Sequence, residues 1–240
     1  MYIKTTNSTN TLLKEMLAKG EWPNGERFLY AGYQTAGRGQ TGNGWESEEG
    51  KNLLCSILLP PRKNLFEMNV AVSVAVRRIV GEDFTIKWPN DIYWKDKKVA
   101  GILIENAIVG SEVKYSIAGI GLNVNQTEFI SDAPNPISLK QITGKEYNID
   151  ELMKKLYEEV QRTLEEDIWA EYKTHIYHRE GFWPFVEREV SVAPTMNAGH
   201  GEEGIFMAQI KDILPTGEIV LKDQQGKERK YHYKQIRYVV

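Results

Sequence analysis

The chain has one cysteine in 240 residues. Cys55 lies inside the apolar run Leu53 to Leu59, so an internal disulfide framework is excluded and a reducing, cytoplasmic setting is expected. Its surroundings read as those of a small buried hydrophobe rather than a reactive thiol. No apolar run reaches the roughly 20 residues that cross a bilayer. Met1 to Ser8 holds no apolar core of signal-peptide length. His175, His178, His200 and His232 show no zinc-ligand spacing with acids or with Cys55, so no structural zinc is assigned. A Gly-x-Ser-x-Gly elbow and a Walker A motif are both missing. Positive charge is also missing: the net charge is −3, and from Phe185 onward eight acidic residues balance eight basic ones. Neither the whole chain nor its last part carries a field that favours nucleic acid.

What is present is enough for a core. Hydrophobic residues make up 41% of the chain, which places it among globular proteins of one large domain or one medium and one small domain. Ser8 or Thr9 can cap a helix with Leu12, Leu13, Met16 and Leu17 on its apolar face, ended by Gly20. Phe28 to Gln34 and Asn52 to Leu59 read as strands, and Phe66 to Val80 as a buried helix. Phe84 to Trp88 is a short strand stopped by Pro89. Asp96-Lys97-Lys98 turns the chain between Ile92-Tyr93-Trp94 and Val99 to Ile104; Gly110-Ser111-Glu112 turns it into Val113 to Val124. The pattern predicts an α+β fold with a mixed, largely antiparallel sheet flanked by helices. A loop over Asp132 to Pro136 then leads to a long helix capped by Asp150, with Leu152, Leu156, Val160, Leu164 and Ile168 at helical spacing. After Pro184 come short strands at Val190 to Val192, Gly204 to Ile213, Glu218 to Lys222 and Glu228 to Tyr233, read as a small β-barrel. The expected division is residues 1–185 and 186–240.

Three segments carry candidate chemistry. Gly37-Arg38-Gly39-Gln40-Thr41-Gly42-Asn43-Gly44-Trp45 can bring backbone N–H groups and a guanidinium fork against one anion, or can be a plain glycine hairpin. Trp45 is either a core aromatic or a lid over a ligand. In Lys87-Trp88-Pro89-Asn90-Asp91, Asp91 suits Mg²⁺, which is held by one or two carboxylates plus substrate phosphates. Lys87 and Asp91 could also be a solvated strand end and a turn cap. Lys95 and Lys97 read as a charged turn, whereas Lys98 directly precedes the apolar strand containing Gly101. Gly119 and Gly121, ahead of Asn123, alternate in a strand and leave one face bare, as a bulge or as a seat for a flat ligand.

Together with Ser8-Thr9-Asn10 and Gln34, these segments stand in the order and spacing of the biotin–protein ligases, which the chain resembles over nearly its whole length. The resemblance implies a class II aminoacyl-tRNA-synthetase-like and biotin-ligase-like catalytic domain with an SH3-like C-terminal barrel. It implies ATP, Mg²⁺ and biotin as ligands, and a biotin carboxyl carrier domain of a carboxylase as partner. A homodimer is compatible with it. Arg38 and the Gly37–Gly39 backbone would hold carboxylate and α-phosphate. Lys98 would meet the biotin carboxylate, Ser8, Thr9 and Gln34 the ureido ring, and Asp91 with Lys87 the metal–triphosphate. Asn10, Gln40, Trp45, Gly101, Gly119, Gly121 and Asn123 complete the expected biotin and adenylate site. Gln40, Thr41 and Asn43 depart from the arginine-rich loop of well-known members, which weakens the expected hold on the adenylate. Ser8-Thr9-Asn10 lies within the first ten residues, so a preceding DNA-binding helix-turn-helix, and with it repression, is not expected. The alternatives are a lipoate–protein ligase and a non-catalytic biotin-binding regulator.

Overall fold

A computed structural model describes residues 1–21, 27–40, 43–130, 135–188 and 204–239. The expected loop residues Thr41 and Gly42, the segment Asp132 to Pro134, the strand Val190 to Val192 and His200 lie outside the described residues.

The chain runs β1 (Tyr2–Thr6), α1 (Thr9–Lys19), β2 (Phe28–Gln34), β3 (Leu53–Leu59), α2 (Leu65–Val80), β4 (Phe84–Lys87), β5 (Asp91–Trp94), β6 (Lys97–Val109) and β7 (Glu112–Leu122). Three helices follow, α3 (Leu139–Thr143), α4 (Ile149–Thr163) and α5 (Trp169–Thr174), and then β8 (Trp183–Glu187), β9 (Ile205–Ile213), β10 (Ile219–Asp223), β11 (Glu228–Tyr231) and β12 (Ile236–Tyr238). The first seven strands form one sheet in the order β1-β2-β3-β7-β6-β5-β4. Among the described strands, β1 pairs parallel with β2 and the other strand pairs of this sheet are antiparallel, as the α+β reading expects. The last five strands make a second, antiparallel sheet, β11-β10-β9-β8-β12, which fits the SH3-like module.

Helix ends follow local chemistry. Gly20 closes α1 in the left-handed region at φ 70°, where an L side chain would be strained. Ser8 is the N-cap of α1, but its side chain makes no capping bond. Asn148, not Asp150, caps α4, accepting from the N–H groups of Asp150 and Glu151. Asp150 instead stands in the first turn, where a carboxylate meets the positive end of the helix dipole. The long helix predicted through Ile168 is two: α4 ends at Thr163, and Ile168 is the N-cap of α5. The apolar spacing continues across that break because both helices bury into the same core.

That core is continuous. It runs from β3 and the apolar face of α2, through Trp88, Tyr172 and Tyr177, to Phe185, Ile210 and Tyr238 of the second sheet. β8 contains Pro184 and spans both sides of the expected boundary between residues 185 and 186. Trp88 Nε1 donates to Gly217 O at 3.1 Å, so the turn between β9 and β10 is bonded to the first sheet.

Candidate functional site

The floor of the site is bare sheet. Gly101 of β6 and Gly121 of β7 are cross-strand partners, which removes two adjacent side chains from one face. Trp45 takes that space. A β-carbon on Gly101 would stand 2.8 Å from Trp45 Cζ3, and one on Gly121 would run into the indole. The face left bare at Gly101 and Gly121 is thus covered by a side chain of the same protein. Trp45 Nε1 is buried with no hydrogen-bond partner among the described residues.

Gly119 opens a different space, filled by Asn10. Asn10 is buried; its Oδ1 accepts from Ser56 Oγ at 2.5 Å, and its Nδ2 donates to Glu105 Oε2 at 2.7 Å. Glu105 also accepts from Lys14 at 2.5 Å and faces Arg38 Nη2 at 3.4 Å. Burial alone would raise the Glu105 carboxyl, but bonds from Lys14 and Asn10 and the Lys14 and Arg38 charges outweigh it and hold the group below its usual range. Beside this hub, Thr9 donates its N–H and hydroxyl to Gln34 Oε1, at 2.7 and 3.0 Å. That fixes the Gln34 amide with its NH₂ turned the other way.

The glycine loop is a hairpin. Gly39 N–H donates to Asn43 O, Asn43 N–H to Gln40 O and Trp45 N–H to Gly37 O. Of the Gly37–Gly39 backbone expected at the anion, the Gly39 N–H is thus bonded within the loop here. Arg38 is 46% exposed and reaches Thr11 Oγ1 at 3.1 Å as well as Glu105. Its guanidinium retains donors for a ligand.

Across the chamber, Lys98 Nζ lies 2.7 Å from Asp91 Oδ2. The Lys98 backbone is held too: its N–H donates to Asn135 O and its carbonyl accepts from Ile137 N–H. Lys98 is therefore fixed on both main-chain sides, and its ammonium is 5.9 Å from the Trp45 ring. Asp91 is engaged by Lys98, and no group of three or more His, Cys, Asp or Glu side chains that could hold a metal occurs among the described residues.

Ser8, Thr9, Asn10, Gln34, Arg38, Gly39, Gln40, Trp45, Asp91, Lys98, Gly101, Gly119 and Gly121 line one chamber of about 110 Å³. Three expected residues lie elsewhere. Gly37 is behind the loop, beside Gln34 and Trp45. Asn123 points beneath the floor and donates to Ile137 O at 3.2 Å. Lys87 lies in a neighbouring cavity with Asp91 and Arg188, its ammonium 4.6 Å from the Tyr93 ring and 5.2 Å from that of Tyr238. Burial, aided by the Lys98 charge, pushes the Lys87 ammonium down to about 8 against the pull of Asp91. Sequence reasoning missed Tyr233, which lines the chamber from the second sheet's side, and Glu105, which anchors Asn10 and Arg38. No local motif marks either; both enter by long-range packing.

Residues 2–123 match the Biotin/lipoate A/B protein ligase family. The chain is 29% identical over 247 residues to the Bacillus subtilis (strain 168) bifunctional ligase/repressor BirA, covering 96% of this chain and 71% of that protein. It is 35% identical over 150 residues to the Homo sapiens biotin–protein ligase, covering 55% of this chain and 20% of that one. Among solved structures it is similar to the Aquifex aeolicus biotin protein ligase in complex with biotin and ATP, with a TM-score of 0.74, 26% identity, and coverage of 100% of this chain and 98% of that one.

Proposed function

The chain belongs to the biotin/lipoate A/B protein ligase family, and from that premise we propose that it is an ATP-dependent biotin–protein ligase. A biotin carboxylate oxygen attacks the α-phosphorus of ATP, the bond to the β-phosphate oxygen breaks, and pyrophosphate leaves. The ε-amine of a lysine on a biotin carboxyl carrier domain then attacks the carbonyl carbon of biotinyl-5′-AMP. The bond to the AMP oxygen breaks, AMP leaves with the electron pair, and the nitrogen loses a proton to solvent.

Two anions must meet in the first step, so fixed cations and donors lower the barrier. The observation that carries the reading is the convergence of Arg38, Lys98 and Asp91 with Ser8, Thr9 and Gln34 on one chamber. Lys98 would sit on the biotin carboxylate as negative charge builds toward the α-phosphate. Arg38 would exchange Glu105 for the phosphate. Ser8 and the Gln34 amide would hold the ureido ring. Mg²⁺ would neutralise the triphosphate and assist pyrophosphate departure. Asp91 suits it as one carboxylate working with substrate phosphates, and Lys87 would add charge from the adjoining cavity. A chamber of about 110 Å³ is below the roughly 300 Å³ at which ligand pockets start. Trp45 would therefore leave its glycine seat when ligand enters and close over it, excluding the water that would hydrolyse the anhydride.

Incubating the protein with ATP, Mg²⁺, biotin and a recombinant carrier domain, and weighing the carrier intact, tests this reading. One biotin per carrier domain is expected. Loss of labelling when biotin is replaced by lipoate separates the reading from lipoyl transfer, and an unmodified carrier with biotin contradicts it.

A further inference from the structure

Gln40 stands where three spaces meet: the chamber with Lys98, the cavity with Lys87, and a wider groove of about 470 Å³. A relay of amides reaches it. Asn90 Nδ2 donates to Asn69 Oδ1 at 2.6 Å, which turns Asn90 Oδ1 toward the loop. That oxygen accepts from Gln40 Nε2 at 3.4 Å. One N–H of the Gln40 amide is thereby used, and its Oε1 is buried with no hydrogen-bond donor among the described residues. A buried acceptor without a partner costs free energy, and a ligand that brings a donor removes that cost.

Oε1 has no proton to give, so it cannot serve a phosphate or a carboxylate. It can receive only N–H or O–H. The groove indicates which. Phe66, Pro89, Leu103 and Ile104 give it apolar surface beside the polar Thr216, His232 and Lys234, and Leu103 and Tyr233 also line the chamber, so the two spaces adjoin beside Gln40. The far wall is pinned, because Asn64 Nδ2 donates to Pro215 O at 3.0 Å and Gly217 packs on Phe66 too closely to admit a β-carbon. A groove of mixed lining, with apolar surface along part of it, that runs up to a neutral acceptor suits a methylene stem tipped by an amine.

Resting on the ligase reading above, we infer that Gln40 Oε1 receives the ε-amine of the acceptor lysine as it enters through the groove beside Phe66 and Leu103. Gln40 holds one N–H of the neutral amine while the nitrogen lone pair attacks the biotinyl carbonyl carbon. The carbonyl–AMP bond breaks, AMP takes the electron pair, and the nitrogen's second proton passes to solvent. Gln40 then acts on the second half-reaction more than on the first.

The test compares wild type with Gln40→Met, which keeps length and loses the acceptor. Biotin-dependent ATP–pyrophosphate exchange reads the first step; kcat and KM for transfer to a carrier domain and to N-α-acetyl-lysine methyl ester read the second. Transfer kcat to both acceptors should fall about tenfold more than exchange does, the size of one lost hydrogen bond near the upper end of the neutral range. Gln40→Glu, which restores an acceptor, should lose less transfer than Gln40→Met, and Gln40→Asn supplies the comparison should Met fail to fold. Equal falls in exchange and transfer, or a raised KM for ATP with transfer intact, overturn the inference and assign Gln40 to the adenylate or to the loop. Absence of exchange in the wild type would instead overturn the ligase reading, and this inference with it.

Discussion

Asn10 occupies the space that Gly119 leaves: a β-carbon at Gly119 would lie 2.5 Å from Asn10 Oδ1, the oxygen that accepts from Ser56. The two positions are one device. Gly119→Ala should expel the Asn10 amide, strand the Ser56 hydroxyl and loosen Glu105. The cost should be about 1–3 kcal/mol, from overpacking and lost buried bonds. Denaturant unfolding measures it, and a change within about 0.5 kcal/mol, the ordinary surface range, would separate the two residues.

Lys98→Ala should disable adenylate formation with little effect on folding. Lys98 and Asp91 are 28% and 31% exposed, so their ion pair stabilises by no more than about 1 kcal/mol. A charge-assisted contact to the reacting carboxylate is worth about 1.5–3 kcal/mol, roughly a 10- to 150-fold loss in pyrophosphate exchange. Near wild-type exchange would remove Lys98 from the reaction centre.

Much of this site is legible in the sequence, because Gly39, Asp91, Lys98 and Gly121 sit in short stretches whose residue types are themselves unusual. The sheet is legible for the same local reason: β2, β3 and β5 to β7 are apolar runs between turn residues. The rest depends on distance. Asn123 stands next to the glycine-rich strand yet turns under the floor, because Ile137 O waits there. The break before α5 is invisible because Leu164, the C-cap of α4, and Ile168, the N-cap of α5, continue the apolar spacing across it. β1 is short and polar, and pairs only because β2 offers it a parallel edge.

Biotin should move Trp45. Titration of wild type with biotin should change indole emission, and Trp45→Phe should remove most of that change. With the seat rearranged by the first ligand, ATP should bind more tightly, by about 1–3 kcal/mol in the usual range for coupled sites. Equal emission changes in both proteins, or equal nucleotide affinity with and without biotin, would mean that Trp45 stays on Gly101 and Gly121.

Lys87 sets an alkaline limit. Its ammonium is charged in the folded protein below about 8, whereas the unfolded chain keeps it charged to its ordinary, higher value. Between those values the unfolded chain binds the extra proton, so stability from this group rises with pH across that window. At neutral pH the buried charge is a burden, and Lys87→Met should raise the unfolding midpoint at pH 7 more than at pH 10. Function runs the other way: KM for ATP should rise in wild type as pH passes about 8, and Lys87→Met should lack that limb. A KM profile shared by both proteins would take Lys87 out of nucleotide binding.

If this chamber activates biotin on ATP, the protein catalyses exchange of labelled pyrophosphate into ATP without a carrier protein. Measured with biotin, with lipoate and with neither, exchange should occur with biotin and not with lipoate or with no acid. Exchange that needs lipoate, or none under any of the three conditions, would contradict that activation.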